Sequence, residues 1–217
     1  MFALNNRQKF AGEVQSGWRA YNITPDRSSG VGAWSDAELI HYLSMGHADG
    51  RGTAVGPMGQ AVDQSLSHLK ADDIKAMVIY LRSVPGVGSG LPDLKSTPAA
   101  DTENVAANLD AHGKEVYAGA CAGCHGWTGV SPVIPYATLT GTRAVNDPTA
   151  NNVAQIILEG GQRRFPRDSD NMPAFGSTYS DAEIAGVANY VTGRFGAKRS
   201  DLTAAQVAKL RAGSDAP

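Results

Sequence analysis

At 217 residues, with a formal charge of −2 and an isoelectric point near 6.2, the chain has room for one large or two small domains and lacks the basic excess of a nucleic-acid binder. Hydrophobic residues reach an ordinary 42% but aromatic ones only 7%, so something besides aromatic side chains is expected to fill part of the core. No run approaches the roughly eighteen apolar residues that a membrane-spanning helix needs.

The opening residues, MFALNNRQKF, hold no apolar segment with a small-residue cleavage site, so no secretory signal is visible. Residues 36–45 (DAELIHYLSM) follow Ser35 and place Glu38 where a capping box needs it, which predicts a helix. Residues 71–83 (ADDIKAMVIYLRS) set Ile74, Met77, Val78 and Leu81 at helical spacing and stop before Pro85. From Val84 to about Val105 the chain is rich in Pro, Gly, Ser and Thr without a helical period, as in a linker or wrapping loop. Residues 107–120, 149–159 and 181–194 are helical again, and nothing alternates with period two for long. The expected fold is mostly α with long loops.

An internal repeat organises these elements. LKADDIKAMVIYLRSVPG (69–86) aligns without a gap on YSDAEIAGVANYVTGRFG (179–196), so that Ile74 falls on Ile184, Tyr80 on Tyr190 and Gly86 on Gly196. Upstream of each copy stands a Met beside a Pro (Pro57-Met58, then Met172-Pro173), and before that an amphipathic helix ending in Gly (Met45-Gly46, then Glu159-Gly160). Only the second copy has cysteines, and the first reads as the rear half of a domain. Without a front helix to pack against, Ile74, Met77, Val78 and Leu81 are expected to line a partly exposed face.

Cys121-Ala122-Gly123-Cys124-His125 is the most specific signal in the chain. Helical C-x-x-C spacing suits two thiols for thioether bonds to the vinyl groups of haem, and the adjacent imidazole then serves as the iron's fifth ligand. A thioredoxin-type pair expects a βαβ setting that is missing here. A structural zinc needs four ligands, and no second cysteine pair supplies them. A disulfide across so short a span is strained and leaves His125 unexplained.

The sixth ligand is expected from a loop before the last helix, where Asn171-Met172-Pro173-Ala174-Phe175 stands. Alone, Met172 reads as a core-filling methionine; beside a haem it reads as a thioether ligand, with Phe175 packed on the porphyrin. His112, the other nearby imidazole, lies on the helix preceding the motif. Arg143, Arg163 and Arg164 are candidates to pair with haem propionates, or form a solvated basic loop. Gly113 and Tyr117 are placed to let the motif helix pack closely on Tyr190, and Trp127 faces the haem edge or caps the core.

With motif, Met loop and terminal helix in order, residues 108–196 resemble a class I cytochrome c domain. Tyr21-Asn-Ile-Thr-Pro-Asp26, Gly30-Val-Gly-Ala-Trp34-Ser-Asp36, Gly56-Pro-Met58 and Leu69-Lys-Ala-Asp-Asp-Ile74 resemble the second haem domain of three-haem cytochrome c subunits of bacterial membrane-associated dehydrogenases for alcohols, gluconate, sorbitol or aldehydes. The ending, Asn189-Tyr190-Val191 through Val207-Ala-Lys-Leu-Arg211, is similar to the end of the third domain. The resemblance implies a partial cytochrome c-like domain over 1–85, a linker over 86–106, a haem domain over 107–197 and a tail with a short helix over 198–217. Members carry a C-x-x-C-H shortly before the segment matching Phe10-Ala-Gly12, and a whole haem domain before that. Here Met58 matches an axial methionine whose attachment motif is absent, as in a late-assigned start or a truncated gene; the rival is a domain that lost its haem. Where the family has Pro-x-Leu after the motif, with the Pro carbonyl orienting the axial imidazole, this chain has Ala137-Thr138-Leu139.

The function so implied is electron transfer by one covalent haem c, with two more only in a full-length member, and no catalysis by the chain alone. The implied donor is a dehydrogenase catalytic subunit (quinoprotein, flavoprotein or molybdenum enzyme) and the implied acceptor is quinone or a terminal oxidase. The expected location is the periplasm, at the outer face of the cytoplasmic membrane with peripheral membrane association. A free-standing periplasmic carrier is the alternative, and a peroxidase would need the open sixth position that Met172 closes.

Overall fold

Ser35 starts the first helix as its spacing from Glu38 requires: the Glu38 amide donates to Ser35 Oγ at 3.2 Å, and the Ser35 amide donates back to the Glu38 carboxylate at 2.5 Å. The structure, a computed structural model, describes residues 8–99, 111–161 and 171–214. In the first half a hairpin, β1 (Glu13–Gln15) and β2 (Trp18–Ala20), precedes α1 (Asp36–Met45). A smaller hairpin follows, β3 (His47–Ala48) and β4 (Gly52–Thr53), and then α2 (Gly56–Gln64) and α3 (Ala71–Ser83). In the second half α4 (Ala111–Val116) runs through a π-helical turn (Tyr117–Cys121) into α5 (Ala122–His125). A 3₁₀ turn (Pro135–Ala137) leads to α6 (Asn151–Glu159), α7 (Asp181–Phe195) and α8 (Ala204–Ser214). Among the described residues no helix is long and apolar enough to cross a membrane.

The mostly helical expectation holds, and α8 supplies the short helix expected in the tail. The two hairpins are additions that the sequence pattern did not announce. Their strands are two or three residues long, too short for an alternation to register. β1 and β2 are closed by Ser16 and Gly17, both with positive φ (49° and 76°), the pairing that suits the right-handed twist of a tight hairpin.

Both copies of the repeat fold alike. α1 packs on α3 as α6 packs on α7, and each leading helix ends on a glycine of positive φ, Gly46 and Gly160. The second core gathers Tyr117, Val153, Ile184, Val187, Tyr190 and Phe195, with α8 contributing Val207 and Leu210. The first is smaller: Val31, Leu39, Leu43, Ile74 and Val78, with Trp34, Met58 and Met77 packed against it. Here the expectation needs correcting. Ile74 and Val78 are buried, at 1% and 2% exposure, because α1 covers them. The open face of α3 is the adjacent one, where Ile79 is 69% and Tyr80 49% exposed.

The halves are stitched together by polar contacts across the joint. Buried Asp147 pairs with Arg19 Nε at 3.2 Å and accepts from Tyr21 Oη at 3.2 Å. Asn152 exchanges two 2.8 Å bonds with the Arg19 backbone. The described part of the segment expected as a linker, up to residue 99, is a strap over both halves. Val87 O accepts from Asn22 at 2.5 Å, the Ser89 amide donates to Ser29 Oγ at 2.9 Å, and the Lys95 amide donates to buried Asn146 at 2.9 Å.

Candidate functional site

Gly113 permits the approach on which the site is built. A Cβ there would run into the carbonyl of Gly186, so α4 lies directly on α7, and one turn later Tyr117 stacks on Tyr190 with ring centroids 5.3 Å apart. Tyr117 also packs on Phe195 (5.5 Å) and Trp127 (5.9 Å), and its hydroxyl donates to Gly126 O at 2.6 Å. Burial pushes that phenol well above its ordinary range, so it stays a donor. Arg194, buried at the end of α7, donates to Trp127 O from Nε (3.1 Å) and Nη2 (2.8 Å). The Trp127 ring packs against the second core, and Arg194 is a site-shaping residue that the sequence reading missed.

Between these anchors the π turn delivers Cys121, half-buried against the second core, while Cys124 is exposed on α5. Both are free thiols. Burial raises the Cys121 thiol to about 11, which keeps it protonated at neutral pH. His125 Nδ1 lies 2.6 Å from Ala137 O. A carbonyl oxygen can only accept, so Nδ1 carries the hydrogen and Nε2 keeps the lone pair that a metal needs. Burial lowers the His125 pKa, against the opposing Ala137 bond, and favours that neutral ring. Ala137 thus serves as acceptor through its main chain, without a proline.

Across the same core lies the Met172 segment, fixed to the end of α6. Gly161 N donates to Met172 O (2.9 Å), Phe175 N to Ile157 O (2.8 Å) and Gly176 N to Leu158 O (3.1 Å). Cys121, Trp127, Leu139, Met172 and Phe175 all pack against the second core. His112 stands apart, 3.5 Å from Glu115 and 3.7 Å from Glu183. Met58 lies in α2 against the first core. Arg143 is placed otherwise than expected: Nη1 donates to Pro92 O at 2.7 Å and Nη2 to Ser28 O at 2.6 Å, so its guanidinium clamps the strap to the first half. Burial lowers its pKa, while Tyr21, Asp147, Asp93 and Asp26 oppose the shift. Arg163 and Arg164 lie outside the described residues.

Residues 108–191 match the family described as cytochrome c oxidase, cbb3-type, subunit III. The chain is 33% identical to cytochrome c6 of Gracilaria tenuistipitata var. liui, over 40% of this chain and 72% of that one. This chain belongs to the cytochrome c family. The cytochrome is also 33% identical to the fructose dehydrogenase cytochrome subunit of Gluconobacter japonicus, over 98% of its own length and 48% of that relative. To the gluconate 2-dehydrogenase cytochrome c subunit of Pantoea cypripedii it is 33% identical, over 90% and 45% respectively. It therefore spans less than half the length of these two relatives. The family implies haem c. The residues present fit it: two free thiols beside a neutral imidazole whose outer nitrogen is already held by a carbonyl, the support that metal-bound histidines characteristically have.

Proposed function

We propose that this cytochrome is an electron-transfer haem subunit, relaying electrons from a periplasmic dehydrogenase to quinone or a terminal oxidase. Its haem is held by Cys121 and Cys124 and ligated by His125 and Met172. The observation that carries the reading is His125, with Nδ1 on Ala137 O and Nε2 left for iron. The haem supplies a one-electron couple whose potential a thioether ligand raises. The protein's part is to hold both ligands rigidly: the 2.6 Å bond fixes the imidazole, and the three amide bonds to α6 and Gly161 fix the Met172 loop. Names of similar proteins favour a dehydrogenase subunit over a free-standing carrier; a quinoprotein, flavoprotein or molybdenum enzyme is our proposed donor. A periplasmic location fits haem attachment to cysteines outside the cytoplasm.

Residues 1–85 we read as a cytochrome c-like unit without its haem-bearing helix. On α7 the positions Gly186 and Tyr190 meet α4; on α3 their counterparts Ala76 and Tyr80 are exposed. Met58 is then the axial candidate of a haem that this chain has no motif to attach.

The experiment is expression with a haem-maturation system in the periplasm. One covalent haem should survive denaturing electrophoresis, and a Cys121→Ala/Cys124→Ala variant should lose it to acid–acetone extraction. Met172→Ala should abolish the weak thioether band at the red end of the ferric spectrum and lower the potential. Fast reduction by a fructose- or gluconate-dehydrogenase catalytic subunit supports the subunit reading; reduction only by small soluble carriers would overturn it.

A further inference from the structure

We infer that Thr53 and His47, both in the first half, are positioning residues for the His125 imidazole in the second, acting through Tyr136. The inference rests on the proposed role of His125 as iron ligand.

The position of Ala137 O decides how the His125 ring stands. Ala137 leaves its own φ free, where a proline would lock it. The turn that carries it follows an exposed stretch in which Val133 is 65% open to solvent. Something must hold the turn: Ala137 N donates to Ile134 O at 3.2 Å, and two further bonds flank it. On the far side of Ala137, Thr138 N donates to Pro135 O at 3.0 Å. On the near side, Thr53 Oγ1 donates to Tyr136 O at 3.0 Å. The peptide planes before and after Ala137 are thereby both pinned, one of them from the other half of the molecule.

Thr53 is itself held in place. Its single hydroxyl hydrogen goes to Tyr136 O, so its oxygen accepts from His47 Nδ1 at 2.9 Å. His47 is 5% exposed, lies edge-on to the Tyr136 ring at 4.6 Å, and has Asp49 Oδ1 2.9 Å from its Nε2. The His47 carbonyl accepts from His41 Nδ1 on α1 at 2.7 Å. A continuous path thus runs from α1 through the β3–β4 hairpin to the Tyr136–Ala137 turn and on to His125. Orientation and hydrogen bonding of the outer nitrogen tune how strongly an imidazole donates to its metal. Loosening the turn weakens that donation, which favours reduced iron and raises the potential.

The test compares Thr53→Val, of similar shape but without the donor, with Thr53→Ser, which restores it, in the haem-loaded full chain. Thr53→Val should raise the reduction potential and change the anisotropy of the low-spin ferric EPR signal, and Thr53→Ser should return both to the wild-type values. His47→Gln, which removes the ring contact but leaves Thr53 in place, should shift both in the same direction by less. Unchanged potential and EPR signal in Thr53→Val and His47→Gln, even with a lower melting temperature, would overturn the inference. A wild-type chain that takes up no haem would overturn the His125 assignment together with this inference, a failure recognisable before any variant is made.

Discussion

Tyr80 and Tyr190 hold the same place in two copies of one helix, yet Tyr190 is wholly buried while 49% of Tyr80 is open to solvent. The difference lies in what each helix packs against. Tyr190 stacks on Tyr117 of the π turn that follows α4; Tyr80 meets Phe10 edge-on at 6.1 Å, and Lys9 Nζ donates to its hydroxyl at 2.9 Å. Tyr190→Ala should cost about 3–5 kcal/mol, as for a large aromatic removed from a core. Tyr80→Ala should cost about 1 kcal/mol or less. Guanidinium melts of the haem-loaded chain decide this; equal losses would mean that the Tyr80 face is covered in solution.

At Gly113 the backbones of α4 and α7 are so close that one methyl group must push them apart. Gly113→Ala is expected to destabilise the haem half by about 1–3 kcal/mol, the usual cost of overpacking. Amide exchange should quicken across α4 and α7 and leave α1 unchanged. A neutral effect would show that the two helices have room the structure does not show.

Arg143 bridges Pro92 O and Ser28 O, so its removal should loosen the strap. Arg143→Ala is expected to cost about 1.5–3 kcal/mol, the range for hydrogen bonds to a charged group. Exchange should speed up near Ser28 and Leu91 while the haem potential stays put. A marked fall in potential with unchanged stability would instead make Arg143 a propionate partner.

Two carboxylates of the first half link its stability to acid. Hydrogen bonds from the Ser29 amide and hydroxyl hold the Asp26 pKa below its usual range. For Glu38 burial pushes upward, but bonds from Arg51 and Ser35 outweigh it and the pKa falls. A carboxylate depressed in the fold stabilises above its unfolded value, near 4, and that contribution is lost as pH drops through the folded value. Melting temperature should therefore fall on acidification toward about pH 3. Asp26→Asn and Glu38→Gln should be less stable than wild type at neutral pH and should lose less on the way down. Parallel curves for variants and wild type would assign the acid loss to other groups.

The candidate site could be named from sequence because its signals are local, with two cysteines and a histidine within five residues; the capping box at Ser35 and the close approach at Gly113 were legible for the same reason. The repeat was legible because Ile74 and Ile184, or Gly46 and Gly160, answer to the same packing. What escaped depends on distance in the chain. Arg143 looks the same in sequence whether it faces a propionate or two carbonyls from the other half. Asn146 gave no sign that it would accept from both Lys95 N and Ala197 N, each at 2.9 Å. The hairpin at Ser16-Gly17 did carry a turn dipeptide, but strands of three residues are too short to confirm one.

The wide turn at Tyr117–Cys121 solves a problem of phase. A π turn takes up one residue more than the α-helical path beside it. Upstream, α4 must point Gly113 and Tyr117 at α7; downstream, α5 must point His125 at Ala137. Were the helix regular throughout, meeting the first demand would leave the second out by about 100° of rotation, one residue's worth. The turn is thus a slipped gear tooth, and Gly119, whose missing Cβ would meet open space, is the residue it can drop. Deleting Gly119 would let the run wind evenly with α4 still seated on α7 and Cys121, Cys124 and His125 kept on their bearing, whereas tightening the turn with every residue retained would swing all three together to the wrong one.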